Sequence, residues 1–344
     1  MRILNIMLAH VRGGVETMSL RYHEAMIQSG VAVLSLGHSD GVLAQALPAG
    51  QFEALNAVVN HDPFAALALR GIARAFHPDL VLTHGNRATG ICLLPFLGTA
   101  DKTIQVVHNF RHKDQLDRAR AAICVSASVR DSVKAGHPGL AAYDVVNFGP
   151  LTERPVKPAP PGVPLLGTLG RLHVNKGLDV MIRALAVLKD QGTAIRLKIA
   201  GDGPEKDNLQ RLARSLGVDA LVEFCGWVNP AADYLEGLDL FILPSRVEPF
   251  GLVVTEAMAA GVPVVATRID GPREILLEGE LGLLCDNEDP QALAAVIKAS
   301  LADWPVTLKR ARAAQHYAMT HFTLEAGKAR LATVLHQIAT VGRS

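Results

Sequence analysis

Cysteine is scarce and never paired. Cys92, Cys124, Cys225 and Cys285 stand far apart and form no Cys-x-x-Cys, which argues against a thiolate zinc site or a dithiol redox motif. Set singly, mostly in apolar runs, they read as buried, reduced thiols, as cytoplasmic proteins carry. Aromatic residues make up only 5% of the chain, so its core must rest on Ala, Leu and Val. Neither sign of charge is in excess: the formal net charge is +1, which leaves no electrostatic case for nucleic acid as a partner. No apolar run reaches the roughly 20 residues that a membrane-spanning helix needs. The apolar run at residues 1–9 is short, is broken by Asn5, and leads to Val11-Arg12-Gly13-Gly14 rather than to a small-residue cleavage site. It reads as a first strand, not a secretory signal. Nor does any Asp-x-Asp occur.

What is present is a repeated alternation. The 344 residues exceed one ordinary domain, and two are the natural expectation. Strands are predicted at 2–8, 31–36, 52–56, 79–83, 103–107, 121–125 and 143–146. Helices follow most of them, including 15–29, 62–76 (Asp62 as cap and Pro63 at the first position), 86–97 and 126–135. Residues 149–164 are then dense in proline and carry no apolar period, as a semi-rigid linker would be. Beyond it, strands are predicted at 165–169, 195–200, 221–224, 238–243, 262–266 and 282–285, and helices near 176–191, 204–216, 231–236, 252–260 and 290–302. Two helical pieces close the chain, near 305–319 and 324–340. The pattern predicts an α/β protein with two Rossmann-like, doubly wound parallel sheets facing across a cleft. The expected division is 1–150, a linker at 151–164, 165–320, and a terminal segment 321–344.

Residues 241–267, FILPSRVEPFGLVVTEAMAAGVPVVAT, concentrate the chemistry. Glu248 lies just before a short helix and Glu256 lies inside it. Phe250, Gly251 and Leu252 offer backbone N–H groups at the helix N-terminus, a ready anion site, and Gly251 lets a ligand come close. Two carboxylates for hydroxyls beside a helix end for phosphate suit a nucleotide-activated sugar.

Further candidates fall at other strand ends. Lys176 stands at a predicted helix start, where a cation opposes the helix dipole by about 0.3–1 kcal/mol unless an anion binds there. With Arg171 five residues earlier, the pair suits a diphosphate clamp; alone, Lys176 reads equally as a solvated lysine. In Gly201-Asp202-Gly203-Pro204-Glu205, Asp202 reads as a helix cap with Pro204 in the first turn. Trp227, after Gly226, either packs or stacks on a base. Gly13 and Gly14 form a tight turn that would also admit a phosphate or sugar. His108 and His84 each end a strand, and a lone histidine there is more often a structural hydrogen-bonder than a catalytic group. No partner for His84 is evident in the sequence.

The second half resembles the retaining nucleotide-sugar glycosyltransferases of the GT-B fold, glycosyltransferase family 4, also called group 1. Glu248 to Glu256 matches the family's E-x7-E motif. GRLHVNKGLDVMIRAL is similar to its G-R-x4-K-G clamp, and GDGPEKDNL and FCGWV stand in family order. The first half is looser: Gly13-Gly14 resembles the glycine-rich loop, His108-Asn109 stands for the family's His-Asp, and Asn147-Phe148-Gly149 departs from Asn-Gly-Val-Asp.

The resemblance implies roles. Arg171 and Lys176 would hold the diphosphate, Glu256 the ribose hydroxyls and Glu248 the donor sugar. Backbone groups of Phe250, Gly251 and Leu252 would meet sugar and phosphate, Asp202 would lie at the nucleotide edge, Val228 would meet the base, and His108 the sugar near the reacting carbon. It implies a hexosyltransferase using a UDP- or GDP-sugar, with a terminal helix that crosses back to the first domain and domains that close on donor binding. Arg and Lys can do a metal's work, so no metal or other cofactor is expected.

Rivals are a glycosidase, a nucleotide-sugar 2-epimerase of the same fold, and a non-catalytic sugar-nucleotide-binding subunit. The cationic clamp disfavours the first, the complete E-x7-E stretch the second, and the intact Arg171, Lys176, Glu248 and Glu256 set the third. The acceptor is expected to be a glycan or lipid-linked molecule of envelope polysaccharide or lipopolysaccharide synthesis. Residues 108–134 carry six Lys and Arg against three Asp, either a solvated face or a weak contact with anionic lipid. The expected place is the cytoplasm, peripheral on the inner face of the plasma membrane.

Overall fold

The computed structural model describes residues 1–9, 13–57, 59 and 62–340. Val11 and Arg12 of the glycine turn, and residues 341–344 of the terminal segment, lie outside the described residues. The chain forms two units: Met1–Gly149 with Thr323–Ser344, and Pro150–Phe322.

The first unit runs β1 (Arg2–Met7), α1 (Gly14–Gln28), β2 (Ala32–Gly37), α2 (Val42–Ala46), β3 (Phe52–Ala54), α3 (Pro63–Phe76), β4 (Leu80–His84), α4 (Asn86–Cys92), β5 (Thr103–Val107), β6 (Ala121–Cys124), α5 (Ala127–Gly136) and β7 (Ala142–Asp144). Its strands pair in parallel in the order β3-β2-β1-β4-β5-β6-β7. The β4, β5 and β6 strands are buried along their whole length, as parallel strands covered on both faces must be. Asp62 caps α3 by accepting from the N–H groups of Phe64 and Ala65, and the Ser126 hydroxyl caps α5 by accepting from Val129 N–H.

The second unit runs β8 (Leu165–Leu169), α6 (Leu178–Asp190), β9 (Arg196–Ala200), α7 (Lys206–Ser215), β10 (Val222–Gly226), α8 (Ala231–Glu236), β11 (Leu240–Leu243), α9 (Leu252–Ala259), β12 (Val264–Thr267), α10 (Asp270–Ile275), β13 (Leu283–Cys285), α11 (Pro290–Ala302) and α12 (Trp304–His321). Its sheet is again parallel, in the order β10-β9-β8-β11-β12-β13. The last helix, α13 (Leu324–Thr340), belongs to the first unit and packs on α1.

Both sheets reverse direction once, between β1 and β4 and between β8 and β11. In an open parallel sheet the crevice beyond the strand ends at that reversal is where ligands bind. The first reversal places His84, at the end of β4, there; the second places the residues after β8 and β11 there.

Four expectations need correction. Residues 86–97 are not one helix: α4 stops at Cys92, and a separate 3-10 turn spans Pro95–Leu97, because proline at 95 cannot donate to a continuing helix. The short helices α2 and α10 had no apolar period long enough to reveal them. Asp202 does not cap α7, which begins at Lys206 with Glu205 as its cap residue; the Asp202 carboxylate accepts from Gly203 N–H, at 2.8 Å. And not every cysteine is buried: all four are free thiols, but Cys225 is only half-buried.

Candidate functional site

In the second unit the site is built on three loops. The loop after β8 carries Arg171 and Lys176. Lys176 does not open α6, as its sequence position had suggested. It ends a 3-10 turn, Val174–Lys176, and Gly177 caps the helix behind it. Gly177 has φ +61°, and a Cβ there would lie 1.9 Å from the Pro244 carbonyl oxygen. The β8 loop thus rests directly on the end of β11, and only glycine permits it. This contact brings Lys176 to the residues that follow β11.

Lys176 Nζ lies 2.5 Å from Glu248 Oε2. Their side chains are 28% and 12% exposed, so the pair is open to a ligand mainly from the lysine side. The buried Ser245 hydroxyl stands 3.5 Å from the same oxygen. Arg171 is exposed, and its guanidinium has no partner among the described residues. Gly170, Arg171, Lys176 and Leu243 line one small cavity of about 10 Å³ at the ends of β8, β9 and β11, room for a single water.

The loop after β11 is braced from two sides. Gly271, in the first turn of α10, donates its N–H to the Glu248 carbonyl at 3.0 Å. Arg246 forks onto Asp179 at 2.7 and 2.8 Å, bonds Glu288 at 2.8 Å, and caps the Val174 carbonyl at 2.8 Å. The Arg246 fork holds the Asp179 carboxyl below the usual carboxylate range. Sequence reasoning missed Arg246, Asp179 and Gly271: Arg246 and Asp179 lie inside quoted stretches but at none of their motif positions, and their pairing, like the Gly271 bond to the Glu248 carbonyl, links residues distant in sequence.

Gly251, at φ +109°, is the cap residue of α9 and makes no side-chain capping bond. Among the described residues the N–H groups of Phe250, Gly251 and Leu252 have no backbone acceptor. They are the orphan donors of a helix start, aimed where an anion would be favoured. The Phe250 ring is buried edge-on against Phe322, 5.7 Å between centroids, so Phe250 can offer its backbone but not its ring. Glu256 sits half-buried in the second turn of α9. Asp202 is exposed, in a loop that packs tightly: a Cβ at Gly201 would fall 1.9 Å from the Gly170 carbonyl oxygen. Trp227 is 69% exposed, which disposes of the packing alternative; Val228 beside it is half-buried.

The first unit holds the other candidates. Gly13 and Gly14 are exposed at the start of α1. Glu16 beneath them is buried, and burial pushes its carboxyl above its ordinary range. His108 is not alone: its Nε2 lies 2.9 Å from His84 Nδ1, so His84 has the partner that the sequence did not reveal. His84 Nε2 in turn lies 2.9 Å from Asn5 Oδ1. Burial drives both imidazoles down, His108 to about 3 and His84 well below its usual value, with His108 adding to the latter. The basic stretch 108–134 is an open cationic face only in part: Arg111, Lys113 and Lys134 are exposed, and the other three cations are engaged. Arg118 donates to the Leu93 carbonyl, Arg120 to those of Asp101 and Ile338, and Arg130 is paired with Asp131 and Asp144.

Two parallel doubly wound sheets with a phosphate-type helix end and an opposed lysine–glutamate pair define a protein of the GT-B fold. Residues 151–318 match the family described as "Glycosyl transferases group 1". Over 167 residues the chain is 35% identical to the lipopolysaccharide core biosynthesis glycosyltransferase LpsE of Rhizobium meliloti, covering 48% of each. Over 182 residues it is 36% identical to a GDP-mannose-dependent phosphatidylinositol monomannoside mannosyltransferase of Mycolicibacterium smegmatis, covering 50% of this chain and 47% of that one. The chain thus spans about half the length of the curated relatives it matches. Among solved structures, Anabaena HepE in complex with UDP superposes with a TM-score of 0.83 at 21% identity, over 98% of this chain and 100% of that one. The lipopolysaccharide outer core galactosyltransferase WaaB superposes with a TM-score of 0.78 at 16% identity, over 98% and 99%.

Proposed function

We propose that this protein is a retaining glycosyltransferase that moves a hexose from a nucleoside-diphosphate sugar to a glycan or lipid-linked acceptor. The observation that carries the proposal is the Lys176–Glu248 pair, 2.5 Å apart, set beside the unsatisfied N-terminus of α9. Breaking the anomeric C–O bond sends an electron pair and a growing negative charge onto the diphosphate. Lys176, the free guanidinium of Arg171 and the N–H groups of Gly251 and Leu252 are placed to stabilise that charge as it develops. Glu248 then takes a sugar hydroxyl, Glu256 the ribose and Val228 the base; the family resemblance gives His108, on the first unit, a sugar contact as well. Because two side-chain cations supply the positive charge, the reaction proceeds without a metal. No carboxylate in this set is left over as a nucleophile, which favours front-face attack with a donor phosphate oxygen taking the acceptor proton.

HepE has been solved with UDP and with UDP-glucose, and a relative in the mannosyltransferase class is GDP-mannose-dependent; the donor here is accordingly a UDP- or GDP-sugar. LpsE and WaaB support envelope polysaccharide or lipopolysaccharide as the destination. Among the described residues no helix is long and apolar enough to cross a membrane. Peripheral contact on the cytoplasmic face is better carried by α3 than by residues 108–134. Phe64 and Leu67 of α3 are 84% and 64% exposed, and the exposed Arg74 follows on the same helix.

The test is incubation with radiolabelled UDP- and GDP-sugars, with and without glycan or lipid acceptors. Acceptor-dependent transfer that survives chelator is expected, and Lys176→Ala should lower turnover by about 10²- to 10³-fold without loss of fold. Epimerised donor with no transfer, or wild-type turnover in Lys176→Ala, would overturn the assignment.

A further inference from the structure

The Asn5–His84–His108 chain has a defined direction. Asn5, at the centre of β1, is fully buried. Its Nδ2 lies 3.0 Å from the Ser19 carbonyl oxygen and 3.0 Å from Ser35 Oγ. A carbonyl can only accept, so the amide nitrogen faces Ser19 and the amide oxygen must face His84. His84 Nε2, 2.9 Å from that oxygen, therefore carries a hydrogen and donates it. His84 is buried, with the edge of the Tyr22 ring against it at 5.3 Å and 89°, and burial keeps the imidazole neutral. A neutral imidazole has one N–H, already placed on Nε2, so His84 Nδ1 is a lone pair. His108 Nε2, 2.9 Å away, must then donate to it. The one proton of neutral His108 is thereby spent inward. Its Nδ1, which has no hydrogen-bond partner among the described residues, is left able only to accept.

The far end is anchored as well. Ser35 Oγ, which receives a hydrogen from Asn5, lies 2.8 Å from His23 Nδ1, and His23 Nε2 lies 2.9 Å from Gln51 Oε1. Donation runs in one sense from His108 through His84 to Asn5 and on to Ser35, and reversing it at His84 would set two acceptors against each other at Asn5.

We propose that Asn5 and His84 are positioning residues that lock His108 as a hydrogen-bond acceptor at Nδ1, so that the ligand group it receives is a hydroxyl of a neutral sugar and not the carboxylate of a uronic acid. A hydroxyl donates into the lone pair; a carboxylate has nothing to donate and meets it with repulsion. This ligand class rests on the glycosyltransferase reading, whereas the tautomer does not.

The experiment uses the full chain labelled with ¹⁵N-histidine, with long-range proton–nitrogen spectra recorded at pH 7 and resonances assigned with His108→Gln. His84 and His108 should each show a protonated Nε2 and a bare Nδ1. An Nδ1–H tautomer or an imidazolium at His108 would overturn the lock. Asn5→Leu fills the same buried space but removes the acceptor facing His84 Nε2, so His84 does better with its one hydrogen on Nδ1, donating to His108 Nε2, which moves the proton of His108 to Nδ1. The spectrum should show that inversion, which loss of packing alone would not produce. Wild type should bind UDP-glucose or GDP-mannose at least about tenfold more tightly than UDP-glucuronate or GDP-mannuronate, a difference of about 1.4 kcal/mol, and Asn5→Leu should narrow the gap. Equal affinities with the tautomer as stated would overturn the ligand class and keep the lock. If no nucleotide sugar binds, the ligand class falls together with the glycosyltransferase reading, and the spectrum alone decides the role of Asn5 and His84.

Discussion

Asn5 shows what a single residue can hide. In the sequence it is a polar interruption in an apolar strand, useful for rejecting a signal peptide and otherwise mute. In the folded chain it is the fixed point of a histidine relay, because β1 lies beside β4 and no sequence period reports which strands become neighbours. The same relay has a consequence for stability. His108 titrates at about 3, and His84 and His23 are also held below their usual value, in each case first by burial. In the unfolded chain all three would take up protons near pH 6.5. Depressed folded values mean that the unfolded state binds more protons between about 6.5 and the folded pKa values. Stability is therefore complete above pH 6.5 and is lost as the pH falls. The loss is bounded at about 1.4 kcal/mol per pH unit for each histidine. Urea unfolding at pH 7 and pH 5 should show a smaller drop for His108→Gln than for wild type. An equal drop would mean that His108 titrates normally in the folded chain. The candidate site residues were far more legible than their couplings: Lys176, Arg171, Glu248 and Glu256 fall at strand and helix ends that the apolar pattern marks, whereas the fork from Arg246 to Asp179 spans 67 residues and leaves no local trace.

At the scale of elements, the long strands and the capped helices were readable because each carries its own signal. Asp62-Pro63 predicts a start that the structure has, and Asp289-Pro290 opens α11 in the same way, with both aspartates accepting from the first-turn N–H groups. What could not be read was how loops stack. The sequence placed Lys176 on a helix end, but the helix begins two residues later and the lysine is carried by a turn pressed against β11. Gly177 is the test of that contact. Alanine at φ +61°, with its Cβ 1.9 Å from the Pro244 oxygen, carries both left-handed strain of about 1–2 kcal/mol and a backbone collision. Gly177→Ala should therefore lower the unfolding free energy of the second unit by about 2 kcal/mol or more and weaken donor binding as Lys176 moves from Glu248. A urea midpoint equal to wild type would show that the turn does not rest on β11 in solution. The basic run at 108–134 teaches the converse: composition counts charges, but three of its six cations are already spent on carbonyls and carboxylates.

On the scale of the whole molecule, the first unit is assembled from both ends of the chain. Thr323 bridges to Gly149, and α13 lays its apolar face on α1, burying Leu331, Val334, Leu335 and Ile338. At about 1.5–3 kcal/mol for each side chain of this size, that face is worth an amount comparable with the net stability of an entire domain, about 5–15 kcal/mol. The helix is therefore a structural part of the first unit and not an appendage. Ending the chain after Phe322 should leave the second unit folded, with its Lys176–Glu248 pair and α9 terminus intact, while the first unit loosens around α1. Hydrogen exchange distinguishes the two. Amides of β1, α1 and β4 should lose protection in the shortened chain, and those of β8, β9, β11 and β12 should keep it. Nucleotide affinity, measured by calorimetry with UDP and GDP, should change far less than transfer activity, because Arg171, Lys176 and the α9 terminus, proposed to hold the diphosphate, lie in the second unit. Uniform loss of protection across both sheets would mean that the two units fold as one, and undiminished protection in α1 would mean that α13 contributes little to holding it.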